Sequence, residues 1–227
     1  MNSKTKIFNT PIKVYVLLCL SYLIMACGQK DEAAIETYPL PYYNQATFTP
    51  HWMSEDDSRL DSFHQISPFQ LINQDGEKID EDTFKDKIYV ADFFFTACPG
   101  ICPKMTANMA VVQDSFIHDD EVLIISHSVT PSRDSVSILK TYAEEKGVVS
   151  NKWHLVTGEK ELIYKLGRQD YFVEEDLGLQ KDINDFLHTE NFVLVDKNKH
   201  IRGIYNGLNK TSTQQLIADI KTLKLEQ

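Results

Sequence analysis

Two cysteines, Cys98 and Cys102, stand in the stretch Ala91-Asp-Phe-Phe-Phe-Thr-Ala-Cys-Pro-Gly-Ile-Cys-Pro-Lys-Met105, each followed by a proline. Pro103 presets the φ of a first helical turn and biases Cys102 away from helical ψ, so a helix is expected near Pro103 with both sulfurs just ahead of it. The positive end of a helix dipole favours the thiolate, the form of cysteine that attacks disulfides and binds soft metals. The pair therefore offers redox or metal chemistry. The plain alternative is a disulfide that closes a short loop.

The elements that must hold this pair alternate in type. Ile88 to Phe95 is an almost unbroken apolar strand of the kind buried on both faces. From Pro103 to Phe116 the pattern turns helical, and Met105, Met109, Val112 and Phe116 recur at a spacing that assigns the methionines to core packing, not to thioether ligation. Glu121 to His127 returns as a strand, and Asp134 to Lys146 forms a helix closed by Gly147. Upstream, Phe69 to Asn73 is a strand entering a turn at Gln74-Asp-Gly76. Downstream come a strand at Trp153–Val156, a helix over Glu159–Leu166, and a hairpin of Asn191–Asp196 with His200–Tyr205. A last helix, Ser212 to Leu223, starts behind Thr211 and Ser212 as caps. Strand, thiol pair, helix and a terminal β-β-α predict an α/β, thioredoxin-like three-layer sandwich, with a mixed central sheet and helices on both faces.

The start of the chain indicates export. Lys4, Lys6 and Lys13 precede an apolar run from Val14 to Ala26, shorter than the ~20 residues a membrane span needs, so residues 1–26 read as a signal peptide. The ending Leu23-Ile-Met-Ala-Cys27-Gly resembles the lipobox of bacterial lipoproteins, which makes Cys27 the expected lipidation site. Cys19 is lost with the leader, and Cys98 and Cys102 remain as the free thiols. Two cysteines in an exported chain fit one controllable pair better than a disulfide scaffold. Residues 27–50, polar and then rich in proline and tyrosine, read as anchor and tether, and 51–227 as one globular domain. Without residues 1–26 the chain carries 20 basic and 33 acidic side chains, a net charge of −13, which makes nucleic acid a poor partner.

The run Phe93-Phe-Phe-Thr-Ala-Cys-Pro-Gly-Ile-Cys-Pro103 resembles the signature of the Sco/SenC family of copper chaperones, thioredoxin-like proteins tethered to respiratory membranes. The similarity extends over most of residues 60–222. It takes in Asp75-Gly76, Pro131-Ser-Arg-Asp134 with Leu139-Lys-Thr-Tyr-Ala-Glu-Glu-Lys-Gly147, Trp153-His-Leu-Val-Thr-Gly158 and Leu187-His-Thr-Glu-Asn-Phe-Val-Leu-Val-Asp196. The resemblance implies a membrane-anchored copper chaperone that serves the copper centre of a terminal respiratory oxidase. It places one copper, as Cu(I) or Cu(II), on Cys98, Cys102 and His188, the last matching the family's histidine before the late strand. Soft thiolates suit Cu(I) and imidazole accommodates Cu(II), so the mixed set fits a carrier that passes through both states. The same resemblance makes Cys98 and Cys102 a redox pair, able to form a disulfide and to reduce the target's cysteines. Its implied partners are the copper-containing oxidase subunit, a thiol reductant and other copper carriers. Its implied location is the periplasmic face of the inner membrane, although Gln29-Lys-Asp-Glu32 resembles acidic signals that send some lipoproteins to the cell surface. The alternative is an enzyme, a thioredoxin-like thiol-disulfide oxidoreductase for which copper is incidental. It would need both cysteines, be indifferent to His188 and usually favour a C-x-x-C spacing.

Four further readings follow from single residues. Asp92 on so apolar a strand is expected to be partly buried, hydrogen-bonded and raised in pKa, a candidate proton acceptor for Cys98 or Cys102; the alternative is a strand-edge Asp bonded to backbone or water. His127 and His154 sit on strands that lead toward the thiol end of the sheet and are candidate supporting groups, while His51, His64, His118 and an exposed His200 are ordinary loop and strand residues. Many members of the family carry an acidic residue before the proline matched by Pro131; this chain has Thr130, which speaks against a carboxylate role there. Tyr171 to Asp185 is expected to be a mobile loop that lets His188 approach and leave the thiols.

Overall fold

The apolar run at Ile88 becomes a strand near the middle of a seven-stranded mixed sheet. The computed structural model describes residues 39–174, 187 and 189–226, all within a compact unit spanning 38–227. The strands are β1 (Gln70–Asn73), β2 (Lys78–Asp80), β3 (Ile88–Phe94), β4 (Val122–Ser128), β5 (Trp153–Thr157), β6 (Asn191–Val195) and β7 (Ile201–Asn206). Their order across the sheet is β2-β1-β5-β4-β3-β6-β7. β3, β4 and β5 run parallel, and the pairs β1–β2, β1–β5, β3–β6 and β6–β7 are antiparallel. Every residue of β3 and β4 is buried, which is why these two strands carry apolar residues on both faces. The turn between β1 and β2 uses Gly76 at φ +79, a conformation that glycine adopts without steric cost.

Successive side chains of β3 point to opposite faces and so feed two cores. Val90 and Phe94 meet Met105, Met109 and Val112 of α1 (Cys102–Ser115), Leu139 of α2 (Val136–Lys146), and Leu216, Ile220 and Leu223 of α4 (Lys210–Glu226). Tyr89, Ala91 and Phe93 meet Phe69, Phe84, and Ile163 and Tyr164 of the short α3 (Lys160–Lys165), which continues as a five-residue π-type turn, Leu166–Asp170. Helices thus cover both faces, as predicted. Met105 and Met109 are fully enclosed core residues.

Local capping moves several expected boundaries. Cys102 is the first residue of α1, ahead of Pro103, so only Cys98 lies in the loop before the helix. α2 starts at Val136 behind a Ser135 cap and ends at Gly147 in the left-handed region, which leaves Asp134 outside the helix. α4 begins at Lys210, two residues early, because Asn209 Oδ1 accepts the amides of Thr211 and Ser212 and takes the cap from those two. β2 was not expected, since three residues give too little alternation to read.

Part of the expected tether is packed on the domain. Tyr42 pairs with His51, and Tyr43 N–H donates to Ile201 O at 3.0 Å. Arg202, buried on β7, donates to Leu40 O at 2.7 Å and Glu226 at 2.6 Å, pairs with Asp196, and lies 3.9 Å over the Tyr42 ring. Residues 40–43 are therefore fastened to the hairpin and to the end of α4. His200, expected to be exposed, is buried at that junction, with Nδ1 2.9 Å from His64 O.

Candidate metal centre

At the carboxyl end of β3 the chain leaves the sheet through Phe95 and Thr96, and Cys98 sits in the bend before α1. Cys102, on the first turn of α1, is 5% exposed, whereas Cys98 is half-buried. Both are free thiols. Burial acts to raise the Cys98 thiol, but a hydrogen bond from Cys102 and the N–H groups of Cys102, Gly100 and Ile101 outweigh it, and its pKa falls below the ordinary thiol value. Burial pushes Cys102 up to about 12, helped by the hydrogen bond it gives Cys98 and by the charges of Cys98 and Asp92. The helix terminus therefore favours one thiolate, on Cys98, with Cys102 as its proton-bearing neighbour.

Both cysteines open onto a cavity of about 310 Å³ lined mainly by apolar groups, among them Phe93, Phe95, Pro99, Ile101, Val129 and Leu187, with Thr189 at its edge. The packing beneath it is tight. A Cβ on Gly167, in the π-type turn, would stand 2.6 Å from Leu187 Cδ1 and 3.1 Å from the Phe93 ring. His188 lies outside the described residues, as do positions 175–185 of the expected mobile loop. Among the described residues no third His, Cys, Asp or Glu joins the thiols in a group able to hold a metal. The donor set among the described residues is two sulfurs in an apolar cup, which fits a soft cation.

The supporting candidates separate. Asp92 is buried on the α1 side of β3, where Ser126 Oγ donates to its Oδ1 and is itself held by Trp153 Nε1 at 2.8 Å. Burial raises its pKa to about 7, in the expected direction. His127 occupies the opposite face, stacked on Phe93 at 4.6 Å, with Nδ1 3.2 Å from Asp92 O and with Nε2 finding no partner among the described residues. Burial lowers its pKa to about 4, so it is a neutral core ring walled off by Phe93. His154 belongs elsewhere, beside Asn73 at 3.5 Å and on a surface cavity with Asp75 and Glu77. The reading of single residues missed Asp134, which is buried and accepts hydrogen bonds from Thr96, Ser128 and Thr130 around the thiol loop. The hydroxyls at the end of β4, followed by a carboxylate, were the available signal.

Both the sequence and the fold are matched in known proteins. The SCO1/SenC family profile matches residues 58–225. The chain belongs to the SCO1/SenC family. A crystal structure of a SCO1/SenC family lipoprotein from Bacillus anthracis str. Ames is 32% identical, with TM-score 0.62 over 71% of this chain and 95% of that one. The structure of BsSco, described as a member of the Sco family of cytochrome c oxidase assembly proteins that carries a disulfide switch, is 29% identical with TM-score 0.59, covering 70% and 93%. Bradyrhizobium japonicum ScoI, solved with copper bound, is 26% identical with TM-score 0.55, covering 69% and 98%. The thioredoxin-like sandwich expected from the sequence is thus the SCO1/SenC fold.

Proposed function

We propose that this SCO1/SenC protein binds one copper ion through Cys98, Cys102 and His188 and delivers it to the copper-containing subunit of a terminal respiratory oxidase. One observation carries the reading: Leu187 and Thr189 both line the cavity onto which Cys98 and Cys102 open. His188 stands between those two residues in the chain, which supports it as the third ligand. Copper in ScoI and oxidase assembly in BsSco give the reading its metal and its pathway. Copper is the cargo; a cup with two sulfurs and one imidazole leaves room for a ligand of the acceptor during transfer.

The unequal thiols support a second role for the same pair, reduction of the target's cysteines. The Cys98 thiolate attacks a target disulfide and Cys102 resolves the mixed disulfide, giving up its proton as the Cys98–Cys102 bond forms. Lipidation at Cys27, with the domain on the periplasmic face of the inner membrane, completes the proposal; among the described residues no helix is long and apolar enough to cross a membrane.

Copper binding by the reduced full chain in detergent tests the assignment. Tight one-to-one Cu(I) binding and a sulfur-to-Cu(II) charge-transfer band are expected, and His188→Ala should abolish or strongly shift both. If His188→Ala changes neither while disulfide exchange stays fast, the protein is a thiol-disulfide oxidoreductase and copper is incidental.

A further inference from the structure

Thr96, two residues ahead of Cys98, is tied to a carboxylate that packing has enclosed. Asp134 is 1% exposed and stands just before the Ser135 cap of α2. Its Oδ1 accepts from Thr96 Oγ1 at 2.6 Å. Its Oδ2 accepts from Ser128 Oγ at 2.6 Å, from Thr130 Oγ1 at 3.0 Å and from the Thr96 N–H at 3.2 Å. Its own N–H donates to Thr130 O at 2.9 Å. One side chain thus fastens the segment after β3, the segment after β4 and the entry to α2. Among the described residues its side-chain partners are these hydroxyl and amide donors. Hydrogen bonds to a carboxylate are roughly twice as strong as neutral ones, and a donor left buried without a partner is destabilising.

The thiol loop is held at its two ends by backbone bonds. Phe94 O accepts from Val129 N–H at 2.8 Å, and Ile101 O accepts from the amides of Lys104 and Met105 at 3.0 Å. Between them Thr96 supplies the polar tie to β4 and α2. We infer that Asp134 is the positioning residue of the thiol loop, fixing Thr96 and through it the approach of Cys98 to Cys102. Thr130 takes part as a donor, which gives the threonine at this position a use that a carboxylate facing Asp134 could not serve. The inference rests on the reading that Cys98 and Cys102 work as a pair and does not depend on copper.

Equilibration of the folded, metal-free full chain with glutathione measures this approach directly. The two thiols pass two electrons and two protons to one glutathione disulfide; its S–S bond breaks to give two glutathione thiols as the Cys98–Cys102 bond forms. The equilibrium constant rises with how well the loop holds the two sulfurs together. Asp134→Ala and Thr96→Val should each lower it about tenfold, close to 30 mV for a two-electron couple. Thr96→Ser, which keeps the hydroxyl, should stay within threefold of the parent. If Asp134→Ala does not fold, Thr96→Val decides alone. A change of less than threefold in Thr96→Val, a rise, or a fall equally large in Thr96→Ser overturns the inference, since a residue that only props the fold would lower the unfolding midpoint and leave this constant alone. If the parent binds no copper yet the constant shifts as stated, the copper reading fails and this one stands.

Discussion

Replacing Asp92 by asparagine tests how much the buried carboxylate costs the fold. The parent's Asp92 titrates at about 7 in the folded state and at 3.8 when unfolded, because burial disfavours the charge more than Ser126 stabilises it. A folded pKa above the unfolded one means that the contribution to stability is fully present below about pH 4 and is lost as pH rises through about 7. With 1.36 kcal/mol per unit, the loss between pH 4 and pH 8 amounts to about 4 kcal/mol. The Asp92→Asn side chain keeps an oxygen for Ser126 Oγ, nearly the same volume, and no charge. Urea unfolding of parent and variant at closely spaced pH values, with the thiols locked as the disulfide to remove their own titration, reads the difference. The gap between the two should move by about 4 kcal/mol in favour of the variant across that window, most of it between pH 4 and pH 7. A gap constant to within about 1 kcal/mol would show that Asp92 is charged without penalty, and would remove it as a proton acceptor for the thiols.

Two other outcomes follow from the site. In the reduced protein near pH 7, iodoacetamide should label Cys98 at least tenfold faster than Cys102, because Cys98 is the half-exposed, lowered thiol and Cys102 is buried and raised to about 12; equal rates by mass spectrometry would refute the assigned polarity of the pair. Gly167→Ala should destabilise the domain by about 1–3 kcal/mol in chemical denaturation, since the added Cβ meets Leu187 and Phe93 under the cavity and the wall must shift. An unchanged midpoint would mean that the wall yields freely.

Short-range patterns in the chain already carry the local chemistry and most of the sheet. Two proline-flanked cysteines after a fully apolar strand, methionines at helical spacing and a closing β-β-α carry their own physical meaning, because burial on both faces and helical periodicity leave marks at short range. The raised pKa of Asp92 was legible for the same reason: a charge on β3 has nowhere wet to go. The remainder comes from long-range packing. His127 and Asp92 are one residue apart in the strand register, yet the pleat sends them to opposite faces, and only Asp92 shares a face with Cys102. Cys98 and Cys102 look equivalent in the sequence; their inequality comes from which sulfur the bend aims at the amides of Gly100, Ile101 and Cys102 and which it buries. Asp134 reads as a helix start until folding surrounds it with donors from the ends of β3 and β4, more than thirty residues apart along the chain in the case of Thr96. Such a site has no sequence periodicity, since it is made where three segments meet.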